Sequence, residues 1–202
     1  VGIIDLPGSN SVGVQAAFAR IGVKAVILRD ARDVQTVERI VLPGVGSFGP
    51  ASEFLANSGF FELIIDRHQR ELPILGICLG FQLFCNTSAE GHGKRGLGLI
   101  PAEVRRLKGS PGSRVPNMGW RPLTSVSEAP HYSLAKGASF YFSHSFEVVL
   151  ESPSFAFAYA QFENEEILAA SAVGNLIGVQ FHPEKSHDAG LEFLKLFASR
   201  DG

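Results

Sequence analysis

Cys78 stands in Gly76-Ile77-Cys78-Leu79-Gly80, directly after the apolar run Pro73–Ile77 and directly before an apolar segment of helical composition. A strand that turns sharply into a helix lifts one side chain above the sheet edge, and glycines two before and two after it leave room for the neighbouring chain. This is the shape of a nucleophile elbow, with a thiol as the nucleophile. The same turn aims the first free N–H groups of the helix, near Leu79, at the sulfur, which favours a thiolate and any oxyanion formed beside it. Taken alone, the motif also fits a buried core cysteine, because free cysteine is among the most buried residue types. Chemistry needs a base, and Gly178-Val179-Gln180-Phe181-His182-Pro183-Glu184 supplies one. Residues two apart in an extended segment face the same way. Glu184 can therefore hold the imidazole of His182 in one tautomer while His182 takes the cysteine proton.

These residue types have two other possible uses. His144, in Tyr141-Phe142-Ser143-His144-Ser145-Phe146, is a rival base, but it has no carboxylate at a comparable spacing. His182, Glu184 and His187 are metal-ligand types. Pro183 excludes a regular helical i, i+4 pair, and only one cysteine is left to join them, so neither a metal nor a cofactor is expected.

These groups need a frame. Gly2–Leu6 reads as a strand and Ser11–Ile21 as a helix, with Val14, Ala17, Phe18 and Ile21 at helical spacing; Pro7-Gly8-Ser9-Asn10 is the turn between them. That turn lies at the carboxyl end of a strand, where open α/β sheets place ligands. Ala25–Leu28 and Arg39–Leu42 read as the next strands, and Glu53 to Gln69 as one or two helices. Pro43-Gly44-Val45-Gly46 follows its strand at once, and its glycines let the backbone approach a ligand. Glu90–Gly98 reads as a surface loop. Beyond it come β-rich runs at Leu99–Leu107, Ser139–Phe142, Glu147–Leu150 and Phe155–Phe162. Trp120, flanked by Gly119 and Arg121-Pro122, is placed on a loop, and its ring suits either the core or an interface. Asp188 to Ser199 is an amphipathic helix with Leu191, Leu194, Lys195 and Ala198 on one stripe. The expected fold is α/β: a largely parallel central sheet, helices on both faces, and a small antiparallel extension, in a single domain over residues 1–202.

Composition narrows the function classes. With 202 residues, 45% of them hydrophobic, the chain can bury one substantial core. Its 18 basic and 20 acidic residues give a net charge of −2 with no basic tract, so neither nucleic acid nor a membrane surface is an expected partner. No apolar run approaches the ~20 residues of a membrane span, and VGIIDLPGS has no basic n-region or cleavage site, which points to the cytoplasm. If one helix carries both Cys78 and Cys85, their Cα atoms lie ~10 Å apart, beyond the ~7 Å reach of a disulfide.

GICLGFQ (Gly76–Gln82) together with FHPEKS (Phe181–Ser186) resembles the class I, triad-type glutamine amidotransferases, whose fold is flavodoxin-like. PGVGSFG after Leu42, VPNMGW (Val115–Trp120) and YFSHSF (Tyr141–Phe146) resemble, within them, the glutaminase subunits of imidazole glycerol phosphate synthase. The resemblance implies hydrolysis of glutamine by Cys78, His182 and Glu184, with the Val45 and Leu79 amides as oxyanion donors. It implies substrate contacts by Gly44, Gly46, Gln82, Ser143, His144 and Ser145. It also implies a (β/α)8 cyclase as heterodimer partner that receives the ammonia, met by Asn10, Trp120 and Tyr141; Lys185, next to Glu184, is expected to join them. The chain departs from the usual pattern at Ser9, Asn117, Arg121 and Phe146. The anthranilate, guanylate and pyridoxal phosphate amidotransferases share Cys, His and Glu. A cysteine peptidase or other thiol hydrolase, and a silent partner-binding module, are the readings from other classes.

Overall fold

The strands of the first half of the chain are short and apolar on both faces, as strands covered by helices on either side must be. The computed structural model describes residues 1–90, 93–109, 115–127 and 133–199. Residues 91 and 92 of the Glu90–Gly98 break lie outside them. Strands β1 (Gly2–Ile4), β2 (Val26–Leu28), β3 (Ile40–Leu42) and β4 (Ile74–Ile77) alternate with helices α1 (Ser11–Arg20), α2 (Phe48–Ser58) and α3 (Phe60–Gln69). The short helix α4 (Leu79–Leu83) follows β4 without a loop. Then come β5 (Thr87–Ser88), β6 (Ala102–Arg106), β7 (Asn117–Val126), β8 (Ser139–His144), β9 (Phe146–Leu150), β10 (Ala156–Phe162), β11 (Glu165–Val173) and β12 (Leu176–Val179), and the chain returns through helix α5 (His187–Ser199).

One nine-stranded sheet runs β2-β1-β3-β4-β12-β11-β10-β7-β8. The first five strands are parallel, and from β12 onward the pairings are antiparallel. The parallel centre and the antiparallel part are thus both present, and the latter is a run of four strands continuous with the main sheet. A second sheet, β5-β6-β9, lies apart. The period-2 rule divides the parallel strands between two cores. Ile3, Val41, Leu75, Ile77, Ile177 and Val179 pack with Val14 and Phe18 of α1 and Phe193, Leu194 and Phe197 of α5. Ile4, Ile40, Leu42, Ile74 and Leu176 pack with Phe48 and Leu55 of α2, Phe60 and Ile64 of α3 and Phe81 of α4.

Three local expectations change. Trp120 lies within a ten-residue strand, β7, and not on a loop. Helix α5 buries Gly190, Phe193, Leu194 and Phe197; Lys195 is exposed and Leu191 only half-buried, because the two phenylalanine rings carry more apolar surface than the stripe read from aliphatic residues. Helix α4 ends at Leu83, so Cys85 lies beyond it; both cysteines are free. Among the described residues no helix is long and apolar enough to cross a membrane.

Candidate active site

Parallel strands β4 and β12 place their carboxyl ends side by side, and Cys78 and His182 follow those ends. Cys78 takes φ 52° and ψ −105°, a conformation that L-residues rarely adopt, and its N–H donates to Val179 O at 2.7 Å. Backbone strain of this kind costs on the order of 1–3 kcal/mol and persists only where the surroundings impose it. The surroundings here are tight: a Cβ on Gly80 would lie 1.7 Å from Leu42 O, and one on Gly76 2.7 Å from Phe81 N. The glycines on either side of the cysteine are required by the close approach of β3 and of α4's own backbone.

His182 is buried, with Nδ1 3.0 Å from Glu184 Oε1. Its N–H donates to Tyr141 O at 2.8 Å, and Ser186 Oγ donates to His182 O at 2.5 Å while accepting from Tyr141 N at 3.0 Å, so β8 clamps the loop. Burial alone would push the imidazole down. The negative charge of a Cys78 thiolate and of Glu184 outweighs it and raises His182 to about 10. Glu184, despite its own burial, is held below the usual carboxylate range by His182 and by Asn10, whose Nδ2 donates to Oε1 at 3.4 Å. With Nδ1–H held by Glu184, the proton-accepting atom is Nε2, which is buried and hydrogen-bonded to nothing else in the described protein. This geometry can take a proton from Cys78 and return it to a leaving group.

His144 is built differently. Its Nδ1 lies 2.8 Å from Phe146 O, an acceptor only, so Nδ1 carries the proton. Its Nε2 accepts from Asn117 Nδ2 at 3.0 Å, and Asn117 Oδ1 accepts from Arg121 Nε at 3.0 Å. Both ring nitrogens are committed, and burial pushes the imidazole down to about 4. Asn117 and Arg121, two of the departures from the family pattern, therefore serve to fix this ring.

A cavity of about 290 Å³ opens beside the sulfur. Val45, Gly46, Leu79, Gln82, Ser143, His144 and Ser145 line it with Cys78, so all but one of the expected oxyanion and substrate residues converge there. The exception is Gly44, which packs against the elbow instead: a Cβ there would lie 2.4 Å from Leu79 Cβ. Gly46 holds φ 110°, a conformation for which glycine is suited. Two residues of the site went unread in the sequence. Glu90 lines the cavity and accepts from Phe48 N at 2.9 Å, and nothing local signals it across forty residues of chain. Gln180, fully buried, donates from Nε2 to Cys78 Sγ at 3.5 Å. Its signal was present: in an extended segment Gln180 faces the same way as His182.

Of the residues expected at a partner face, Trp120, Tyr141 and Lys185 form a separate group. Trp120, 42% exposed, stands edge-on to Tyr141 with centroids 6.1 Å apart, and Lys185 Nζ lies 5.9 Å from the Tyr141 ring centre. The Trp120 ring also stacks on His187, with centroids 4.9 Å apart. Asn10 faces inward, to Glu184.

Residues 3–199 match the family model described as glutamine amidotransferase class-I. The imidazole glycerol phosphate synthase subunit HisH of Synechococcus sp. (strain CC9902) is 40% identical over 196 residues, covering 96% of this chain and 92% of that protein. The HisH subunit of Lactococcus lactis subsp. lactis (strain IL1403) is 38% identical over 197 residues, covering 96% of each. Among solved structures, PurLQS from Thermotoga maritima superposes with a TM-score of 0.72 at 18% identity, covering 97% of this chain and 95% of that one, a likeness of fold. The chain belongs to the class-I glutamine amidotransferases and, within them, to the family of imidazole glycerol phosphate synthase subunit HisH.

Proposed function

We propose that the chain is one glutaminase domain that hydrolyses glutamine and hands the ammonia to a (β/α)8 cyclase subunit, the two forming an imidazole glycerol phosphate synthase of histidine biosynthesis. The observation that carries the reaction is the strained Cys78 elbow set beside the buried His182–Glu184 pair, both at the mouth of one polar cavity. Cys78 Sγ attacks the side-chain amide carbon, forming the C–S bond and placing negative charge on the amide oxygen. The Val45 and Leu79 amides receive that charge. His182 passes the proton to the amide nitrogen, the C–N bond breaks and ammonia leaves. A water then gives its proton to His182 and attacks the thioester, and expulsion of the thiolate releases glutamate. Glu184 orients the ring and offsets its charge.

Gln82, Ser143 and Ser145, with Gly46, shape the side of the cavity that takes the substrate backbone. Glu90 is the one carboxylate among the described lining residues, and its charge suits the α-ammonium of an amino acid. The exposed Trp120, with Tyr141 and Lys185, is the surface assigned to the cyclase, and Asn10 reaches Glu184, the residue next to Lys185. Two free thiols fit the reducing conditions of the cytoplasm.

Glutamine turnover by the chain alone, with the cyclase, and with the cyclase carrying a ligand tests this reading. The expected result is a weak glutaminase stimulated by partner and ligand, with activity lost in Cys78→Ser. Equal, undiminished turnover in Cys78→Ser would remove the nucleophile, and full turnover in the isolated chain would remove the partner's control.

A further inference from the structure

We propose that Gln180 is a catalytic residue of the thiol: its side-chain amide donates a hydrogen bond to Cys78 Sγ, favouring the thiolate both as attacking group and as leaving group. The inference rests on Cys78 being the nucleophile proposed above.

The direction of that amide follows from a short chain of obligate roles. Phe146 O can only accept, and Gln82 Nε2 lies 2.9 Å from it, so Gln82 turns its NH2 group that way. The second hydrogen of the same NH2 group goes to Gln180 Oε1 at 3.2 Å. With its oxygen taken, Gln180 must present Nε2 to the sulfur, 3.5 Å away. Phe146 O also accepts from His144 Nδ1, so its two lone pairs are filled and the carbonyl is held still. Gln180 and Gln82 are both buried, where water does not compete for these contacts. Beside the His182 base, the sulfur also meets Ser143 O at 3.9 Å, a contact that uses the thiol hydrogen and vanishes on ionisation. Gln180 is therefore a contact that strengthens as charge arrives on sulfur, whereas the Ser143 contact exists only for the neutral thiol.

A donor to the thiolate has two kinetic consequences. It raises the fraction ionised more than it lowers the intrinsic nucleophilicity of each thiolate, since the dependence of nucleophilicity on basicity has a slope of only about 0.4–0.5. When the tetrahedral adduct of the thioester with water collapses, the C–S bond breaks and its electron pair returns to sulfur. The same N–H then stabilises the departing thiolate.

The test follows carboxamidomethylation of Cys78 by iodoacetamide against pH, with peptide mapping to separate it from Cys85. In Gln180→Met, close in volume and without a donor, the inflection should move up by about one pH unit, and labelling below the inflection should slow about threefold. Gln180→Glu, which sets a carboxylate against the sulfur, should move it further. Gln82→Met frees the Gln180 amide to turn over and should give a smaller upward shift, and it carries the test if either Gln180 variant fails to fold by circular dichroism. In the complex with the cyclase, Gln180→Met should lower kcat for glutamine about tenfold with KM little changed. Folded Gln180→Met and Gln180→Glu proteins whose inflections stay at the wild-type pH would overturn the proposal. An upward shift in a protein whose wild-type complex turns over no glutamine would sustain it while removing the glutaminase reading.

Discussion

The loop after β12 and the end of β8 each bring a buried histidine to the surroundings of Cys78, His182 at 1% exposure and His144 at 6%, yet the two segments give imidazole opposite characters. On the β12 side the ring meets a carboxylate and a thiol, both able to carry negative charge, and it is raised to about 10. On the β8 side the ring meets a carbonyl and an amide, both neutral, and burial lowers it to about 4. Burial is nearly equal, so the charge of the partners decides the protonation state. A base for Cys78 also needs a nitrogen free to take the proton, which His182 Nε2 offers and His144 Nε2, bound to Asn117, does not.

The contrast is most easily broken by kinetics. His182→Asn should lower glutamine turnover of the complex by about 10⁴ or more, while leaving the fold intact by circular dichroism. Glu184→Gln should lower it less, by about 10²–10³, because the imidazole loses orientation and charge balance but keeps its place. His144→Asn should lower it about tenfold or less, an effect on cavity shape. If labelling of Cys78 by a glutamine-analogue alkylator were lost in His144→Asn and kept in His182→Asn, the two roles would have to be exchanged.

Proton linkage gives the smallest and sharpest prediction. His182 is raised on folding, so its contribution to stability is fully present below about pH 6.5 and is lost as pH climbs toward about 10. His144 is lowered on folding, so its contribution is present above about pH 6.5 and is lost as pH falls toward about 4. Melting temperature against pH should therefore lose less on the acid side in His144→Gln and less on the alkaline side in His182→Gln. Nitrogen NMR of labelled histidine should find His144 as the neutral Nδ1–H tautomer at pH 6, with His182 doubly protonated; a His144 ring that titrates near pH 6.5 would refute the account of its network.

What could be read from the sequence follows the same division. Cys78 with its glycines, and His182 with Glu184, are local patterns, and the fold needed only to bring two strand ends together. His144 could not be placed, because its character depends on Asn117 from another strand and on the carbonyl of Phe146. Strand β7 was missed for a physical reason: Gly119 and Pro122 do break a pattern, but Gly119 is paired within the β8 ladder and Pro122 falls where the strand changes partners. Asn117 to Pro122 pair with β8, and Leu123 to Val126 pair with β10, so a proline falls where the ladder is least complete. Strand β11 lies where the antiparallel part joins the parallel one, and after Glu165 and Glu166 its buried residues run on from Ile167 to Ser171 with no alternation to mark it.

The Ser186 hydroxyl touches the Tyr141 peptide with its oxygen and the His182 carbonyl with its hydrogen. Mechanically, this is a stiff coupling one residue long between the outer aromatic surface and the general base. A load on the Tyr141 backbone is passed through that hydroxyl to the His182 backbone without any hinge, and a misplacement of about 1 Å at a reacting group is enough to cost about 10²-fold in rate.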